Sequence, residues 1–394
     1  MTRQNGRQSV VVAPVFVNGV CIAREMARKG AHVVAVDTKP GAVGFRSRYV
    51  SECVVLGSPQ DEPGAFRRWL LSRRDLYGAI VVPTDDFFVR ELSEGYDALS
   101  RHYRLAVSPG RAVGIALDKM RSYEAAWEIG VATPRTRRIN RGSDIEAAAE
   151  HVGFPALLKP VFSIAFYGRF GTKLFVVNNA AELKEACRLA DEAGHAMILQ
   201  EMIPGPDENV LCCKTYVSDD GEVHPCVIGS KECIYPPSFG VTQVQVVINA
   251  PEVERQAAAY LKHIGYRGAL ACIEWKRDPR DGLYKLIELN ARSVLAIGLA
   301  KYAGVDLIDM LRRDKLGLAP LPAPAIKYGR RWAYLKNGVL LYRKHPEKRK
   351  TLGEYLRLYR PPICFGLLEL SDLKPFLYDV VPLLARRFTR KASE

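Results

Sequence analysis

Glu274, Glu288, Asn290 and Arg292 are the residues whose types and spacing point most directly to chemistry. Residues 270–292 read as two strands joined by a turn, because Asp278, Pro279, Asp281 and Gly282 are turn formers with apolar and alternating residues on either side. Alternation over 286–290 sets Glu288 and Asn290 on one face and Ile287 and Leu289 on the other. Glu274 and Glu288 are symmetric about Asp281, so a hairpin centred there lays the two carboxylates side by side. Like charges directly opposite each other destabilise a sheet unless a cation lies between them. Two carboxylates and an amide oxygen are hard ligands that suit Mg²⁺, which completes its shell with water and phosphate oxygens. Arg292, two residues on, is close enough to approach the same phosphates. Taken alone, the segment reads equally well as a surface hairpin with solvated acids.

The elements upstream supply partners for such a site. Lys119 follows Asp118 at the opening of a helix over 120–129. Lys159 ends an apolar strand just before Pro160, where an ammonium needs an anion or solvent. Residues 162–173 hold Gly168, Gly171 and Lys173 between two strands. Glycines there let backbone N–H groups curl around phosphate, although the P-loop pattern is missing and a plain hairpin loop is the ordinary reading. A strand over 197–203 contains Gln200, Glu201, Met202 and Ile203 and breaks at Pro204-Gly205, exposing backbone groups that can read an adenine edge. Asp207 and Glu208 follow, placed to hold ribose hydroxyls, and a strand over 223–234 carries Lys231. At the N-terminus a strand over 10–17, a turn at Asn18-Gly19, a helix over 20–29 and a strand over 32–36 form a β-α-β unit, which implies a parallel sheet. The dinucleotide pattern G-x-G-x-x-G is absent, so this unit gives little support to NAD binding. A strand over 79–82 ends at Pro83-Thr84-Asp85-Asp86, at the carboxyl end where open α/β sheets bind ligands. Thr84, Asp85 and Asp86 are therefore substrate candidates, with a helix N-cap as the competing reading.

The chain has 394 residues, enough for two or three domains, with ordinary hydrophobic (48%) and charged (25%) fractions. No apolar run is long enough to span a bilayer, and the N-terminus lacks the pattern of a signal peptide. Nine scattered cysteines without a C-x-x-C pair suggest reduced thiols in the cytoplasm and not a zinc site. The net charge of +14 is uneven: residues 321–394 hold sixteen Lys/Arg against six Asp/Glu. A solvated basic face is the plain reading of that excess. Weak contact with an anionic membrane surface is a further use for it, and no specific nucleic acid is expected.

Five segments in order resemble the ATP-grasp superfamily of carboxylate–amine ligases. They are Asp118-Lys119, the Leu-Lys-Pro around Lys159, the glycine-bearing loop to Lys173, the stretch Gln200 to Gly205, and Ile287-Glu288-Leu289-Asn290-Ala291-Arg292. Residues 41–45, 83–86 and 373–376 are similar to the subgroup containing D-aspartate ligase. The resemblance implies an α/β (α+β ATP-grasp) architecture. An N-terminal parallel-sheet domain at 1–110 would precede a small lobe at 111–197, a large lobe with the metal site at 198–320, and a basic C-terminal extension at 321–394.

Carried over by position, Lys119 and Lys159 would bind ATP phosphates, with Lys159 also near adenine, and Lys173 would belong to the nucleotide site. Glu201 would accept from the adenine amino group, the backbone at Met202 and Ile203 would contact the ring, and Glu208 would hold ribose. Glu274, Glu288 and Asn290 would carry one or two Mg²⁺ (or Mn²⁺), and Arg292 with Lys231 would stabilise the transferred phosphoryl group. The implied partners are a small carboxylate and an amine, and a homo-oligomer is compatible with the resemblance. Aromatic residues in the 162–173 loop and Ser293-Val294-Leu295 after Arg292 depart from the family pattern. Rival readings are an ATP-dependent carboxylase or phosphoribosylamine-type ligase, and a non-catalytic ATP-binding regulator whose basic C-terminus docks on a membrane or nucleic acid.

Overall fold

The computed structural model describes residues 8–139, 145–161, 166, 169–322 and 324–385, and among these three sheets form. The first contains β1 (Ser9–Ala13), β2 (His32–Asp37), β3 (Glu52–Val55), β4 (Ile80–Pro83) and β5 (Arg104–Leu105), in the order β3-β2-β1-β4-β5. Every pairing in it is parallel. The uninterrupted valines of β1 fit a strand buried on both faces. Val10 and Val12 pack with Val20 and Ile22 of the helix Val17–Arg28, while Val11 and Ala13 pack with Phe88 and Val89 of the helix Asp86–Glu94.

The expected turn at Asn18-Gly19 is instead the first turn of that opening helix. Gly19 serves close approach and not chain reversal: a Cβ there would lie 2.4 Å from the Pro14 carbonyl oxygen.

The second sheet is antiparallel and contains β6 (Thr136–Ile139), β7 (Ala156–Pro160), β8 (Phe175–Val177) and β9 (Met197–Glu201), ordered β6-β9-β7-β8. The helices Ile145–Val152 and Ala180–Glu192 cover it through Ala148, Val152, Leu183, Ala186 and Ala190. Residues 162–165, 167 and 168, in the loop expected to close over nucleotide, lie outside the described residues.

The third sheet contains β10 (Val210–Val217), β11 (Val227–Tyr235), β12 (Val241–Val247), β13 (Ala269–Arg277), β14 (Tyr284–Asn290), β15 (Arg331–Ala333) and β16 (Ile363–Phe365). Their order is β14-β13-β10-β11-β12-β15-β16. Leu211, Cys213, Ile273 and Trp275 face the helix Pro251–His263 through Val253, Ala257 and Tyr260. Strands β15 and β16 show that the segment after residue 320 is woven into this sheet. The same segment is tied to the first sheet's helix by Arg24, buried against Asp372 at 2.9 Å and against the Leu367 carbonyl at 3.0 Å.

Candidate active site

The hairpin β13–β14 builds the centre of the site. Its turn closes through Gly282 N–H to the Asp278 carbonyl (2.8 Å) and Asp278 N–H to the Leu283 carbonyl (2.9 Å), with Gly282 at φ +76°. Glu274 stands directly opposite Glu288 and Cys272 opposite Asn290, although nearer the turn Trp275 faces Leu286 and Arg277 faces Tyr284, a register centred between Arg280 and Asp281. A register shift between Glu274 and Trp275 leaves Ile287 as an extra residue in β14, a bulge beside the paired carboxylates.

Two lysines meet this pair of acids. Lys231 Nζ on β11 lies 2.8 Å from Glu274 Oε2, and Lys119 Nζ lies 3.3 Å from Glu288 Oε1. Burial works against the charge of Lys231, but Glu274 overrides it and holds the ammonium above its ordinary range. Burial alone would raise Glu288; Lys119, Lys159 and Arg292 outweigh it and keep the carboxyl below its usual range. The cross-strand repulsion is thus relieved by ammonium groups.

Lys159 projects from the end of β7 and is pushed down to about 8, chiefly by burial and then by Lys119. Its Nζ donates to Gln200 Oε1 at 2.5 Å. Gln200 Nε2 donates in turn to Tyr123 Oη (2.8 Å) and Thr136 Oγ1 (3.1 Å), and Tyr123 Oη donates to the carbonyl of the bulged Ile287 at 2.6 Å. A buried chain of hydrogen bonds therefore joins Lys159 to the hairpin that carries the acids. Sequence reasoning missed Tyr123 and gave Gln200 no role; the only local signal was the alternation that turns Gln200 away from Glu201.

Glu201 is ion-paired at rest. Its carboxylate is taken up by Arg135 Nε (3.1 Å), Arg280 Nη2 (3.2 Å) and Lys285 Nζ (3.4 Å). Arg280 and Lys285 also bind the fully buried Asp278, which they hold well below the carboxylate range. The side chain expected to meet adenine thus fastens β9 to the hairpin turn. Met202 is half-buried and Ile203 buried at the break after β9. Glu208 is exposed in the short turn Asp207–Asn209, its carbonyl accepting from Ser230 Oγ at 2.7 Å. Lys173 is exposed, with Nζ 3.4 Å from the Phe239 carbonyl.

The three substrate candidates divide. Thr84 donates its hydroxyl to the Pro14 carbonyl at 2.5 Å and is structural. Asp85 caps the helix Asp86–Glu94 by accepting from Phe88 N–H at 3.0 Å, and burial pushes its carboxyl up to about 6. Asp86 reaches the site: its two oxygens take Arg292 Nε (2.7 Å) and Nη2 (3.0 Å). Arg292 Nη1 donates to the Ser293 carbonyl at 3.2 Å. Asn18, read as a turn residue, also belongs here, donating to the Thr84 carbonyl (2.9 Å), Ser293 carbonyl (3.2 Å) and Ser293 Oγ (3.1 Å).

Among the described residues no group of three or more His, Cys, Asp and Glu side chains is placed to hold a metal. The site offers two carboxylates and the Asn290 amide, hard oxygen donors that match an ion keeping several waters and phosphate oxygens in its shell.

Comparison with known proteins gives relatives by sequence and by fold. A D-aspartate ligase from Enterococcus faecium is 26% identical over 249 residues, covering 60% of this chain and 58% of its own length. A D-alanine–D-alanine ligase from Stutzerimonas stutzeri is 30% identical over 189 residues, covering 45% and 56%. The chain thus spans less than two thirds of these curated relatives. Among solved structures, the biotin carboxylase domain of the Hydrogenobacter thermophilus 2-oxoglutarate carboxylase, with MgADP and bicarbonate, superposes at TM-score 0.67 with 18% identity. That match covers 83% of this chain and 74% of the other. The L-amino acid ligase from Bacillus licheniformis superposes at TM-score 0.60 with 19% identity, covering 81% and 76%. Both likenesses show the fold. The sequence profile of the family described as carbamoyl-phosphate synthase L chain, ATP binding domain, matches residues 118–318, which is half of the chain, and the chain belongs to this ATP-grasp family.

Proposed function

We propose that this protein is an ATP- and Mg²⁺-dependent ligase that joins a carboxylate to an amine through an acyl phosphate and releases ADP and phosphate. The observation that carries the reading is the Glu274–Glu288 pair, set opposite across one ladder with Lys231, Lys119 and Lys159 around it. Such a site neutralises phosphate charge, which is what phosphoryl transfer requires. Two relatives named as amino-acid ligases support amino acids as the substrate class.

Glu274, Glu288 and Asn290 are the residues that would hold Mg²⁺. When bound, the ion supplies charge neutralisation at the triphosphate. Lys159 and Lys119 place ammonium groups toward the phosphates, and Lys231 faces the transferred group beside Glu274. An oxygen of the acid attacks the γ-phosphorus, the bond to the β-phosphate oxygen breaks, and ADP leaves. The amine nitrogen then attacks the acyl carbon, phosphate leaves with the C–O bond, and the nitrogen gives up a proton to complete the amide. At rest Arg292 spends its Nε and one Nη2 hydrogen on Asp86 and one Nη1 hydrogen on the Ser293 carbonyl, which leaves one hydrogen on each terminal nitrogen for the acyl phosphate.

Hydroxylamine replaces the unknown amine in the test. Enzyme, ATP, Mg²⁺ and a panel of amino acids and small carboxylic acids should yield a hydroxamate with matching ADP for the true acid. A stable phosphorylated product that is not a carboxylate derivative refutes the reading.

A further inference from the structure

The helix Lys374–Ala385 is apolar on two faces, and among the described residues one of them is left exposed. Its inner side carries Val380, buried in the core, and Asp379, buried against Tyr334 Oη and Lys336 Nζ at 2.7 Å each. Its outer side carries Leu373, Leu377 and Val381, spaced by four and therefore aligned. Leu377 is 47% exposed, and Tyr378 beside it is exposed too. Leu370, in the turn leading into the helix, is 88% exposed, the highest value for a large hydrophobic side chain among the described residues.

Positive charge rims this stripe. Arg46 stacks its guanidinium 4.7 Å from the Tyr378 ring centroid, and the backbone N–H of Arg48 is fixed to Asp372 at 3.0 Å. Both arginines are exposed, as is Lys374 in the helix's first turn. The neighbouring acids are turned inward or already bound: Asp372 holds Arg24 and Ser47, and Glu369 pairs with Arg24 and Arg28. The outward charge around the stripe is therefore positive. The sequence continues past it with Arg386, Arg387, Arg390 and Lys391.

We propose that this face, Leu370, Leu373, Leu377, Tyr378 and Val381 within a rim of Arg46, Arg48 and Lys374, docks the protein on an anionic lipid bilayer. The apolar side chains enter the boundary between headgroups and acyl chains, while the basic rim meets the lipid phosphates. Nucleic acid would use the arginines and leave the leucines in water. A two-fold contact with a second copy would bury the leucines but set arginine against arginine. An anionic bilayer satisfies both halves of the surface. The residues lie outside the candidate active site, so the inference does not depend on the proposed reaction.

The test is cosedimentation of the full chain with vesicles of phosphatidylcholine alone and of equal parts phosphatidylcholine and phosphatidylglycerol. Wild type should bind the mixed vesicles, bind phosphatidylcholine at least about tenfold more weakly, and be released by raised salt. Leu370→Ser with Leu377→Ser should weaken binding to the mixed vesicles by about tenfold or more, at an unchanged thermal midpoint. Arg48→Glu with Lys374→Glu should do the same through charge. Equal partition onto both vesicles, or no binding to the mixed ones at low salt, overturns the proposal. It is also overturned if the leucine variants bind like wild type. A concentration-dependent dimer abolished by the leucine substitutions would assign the face to a second copy, and tighter binding to duplex DNA than to the mixed vesicles would assign it to nucleic acid; either result refutes the bilayer.

Discussion

Lys159→Met separates what this lysine costs the fold from what it does for nucleotide. Its ammonium is buried, and its folded-state pKa falls from 10.5 to about 8. Between those values the unfolded chain binds more protons than the folded one, so stability rises with pH across that window. The penalty of holding the charge in the interior is full below about pH 8 and gone above about pH 10.5. At about 1.4 kcal/mol per tenfold change in proton affinity, it amounts to roughly 3 kcal/mol. Methionine removes that penalty but leaves Gln200 Oε1 without its donor, a loss of about 1–3 kcal/mol. Near neutral pH the variant should therefore match wild type in stability or exceed it slightly. Wild type should gain on the variant by about 2–3 kcal/mol between about pH 7.5 and pH 10. Calorimetry with a non-hydrolysable ATP analogue should show affinity weakened by at least about tenfold, since one phosphate-facing cation is gone. Urea unfolding at a series of pH values, run on both proteins, is the stability assay. Parallel stability curves across that window would refute the assignment of the buried charge to Lys159, and unchanged nucleotide affinity would remove it from the phosphate site.

Other substitutions test other parts of the site. Glu288→Gln should nearly abolish ADP release at ordinary Mg²⁺, recovering partly as Mg²⁺ is raised; a wild-type rate would take Glu288 out of the metal site. Asp86→Asn removes the carboxylate charge and one of the two acceptors facing the Arg292 guanidinium and should lower stability by about 1–3 kcal/mol, read from urea midpoints. An unchanged midpoint would show the pair to be worth nothing. Lys214 is fully buried, with its ammonium on Gln245 Oε1 (2.5 Å) and the Cys212 carbonyl (3.5 Å), while Gln245 Nε2 finds no partner among the described residues. Lys214→Met should be neutral or stabilising, and a loss above about 2 kcal/mol would reveal a counter-ion at that lysine.

The hairpin was legible because its information is local. Turn formers, alternation and the symmetric acids all lie within residues 270–292, and counting about Asp281 set Glu274 opposite Glu288, a pairing the structure reaches through the bulge at Ile287. The same locality made the helix Pro251–His263 and the strand Val210–Val217 readable to their ends, since Pro251 and Gly265 mark the first and the turn formers Pro204-Gly205-Pro206 and Asp219-Asp220-Gly221 bound the second. Strand β12, with its alternating Gln and Val, carried the local signal of a half-buried strand and still went unassigned. Its neighbour β15 lies some 90 residues away, and nothing in either segment names the other. The basic residues after 320 showed their charge and concealed three-residue strands whose existence depends wholly on the sheet they join.

The site divides in the same way. Motif spacing picks out Lys119, Lys159, Glu274, Glu288, Asn290 and Arg292 as chemical groups, but not the side chains that hold them at rest. Glu201 is the clearest case. A carboxylate at the end of a strand, beside a Pro-Gly break, has the chemistry to accept from adenine. Whether it is free to do so is decided by Arg135, 66 residues earlier, and by Arg280 and Lys285, about 80 residues later. Asp86 is the converse. As one of three polar residues after a strand it had no distinguishing mark, and only the approach of β4 to the end of β14 gives it Arg292. Composition supplies the charges of such a site, whereas tertiary contacts fix their resting state. If Arg292 reaches the acyl phosphate by leaving Asp86, the free energy of that exchange counts toward the barrier or toward the binding of the acid. Double substitution of Asp86 and Arg292 would separate the two, because a cost paid on binding moves KM while a cost paid in the transition state moves kcat.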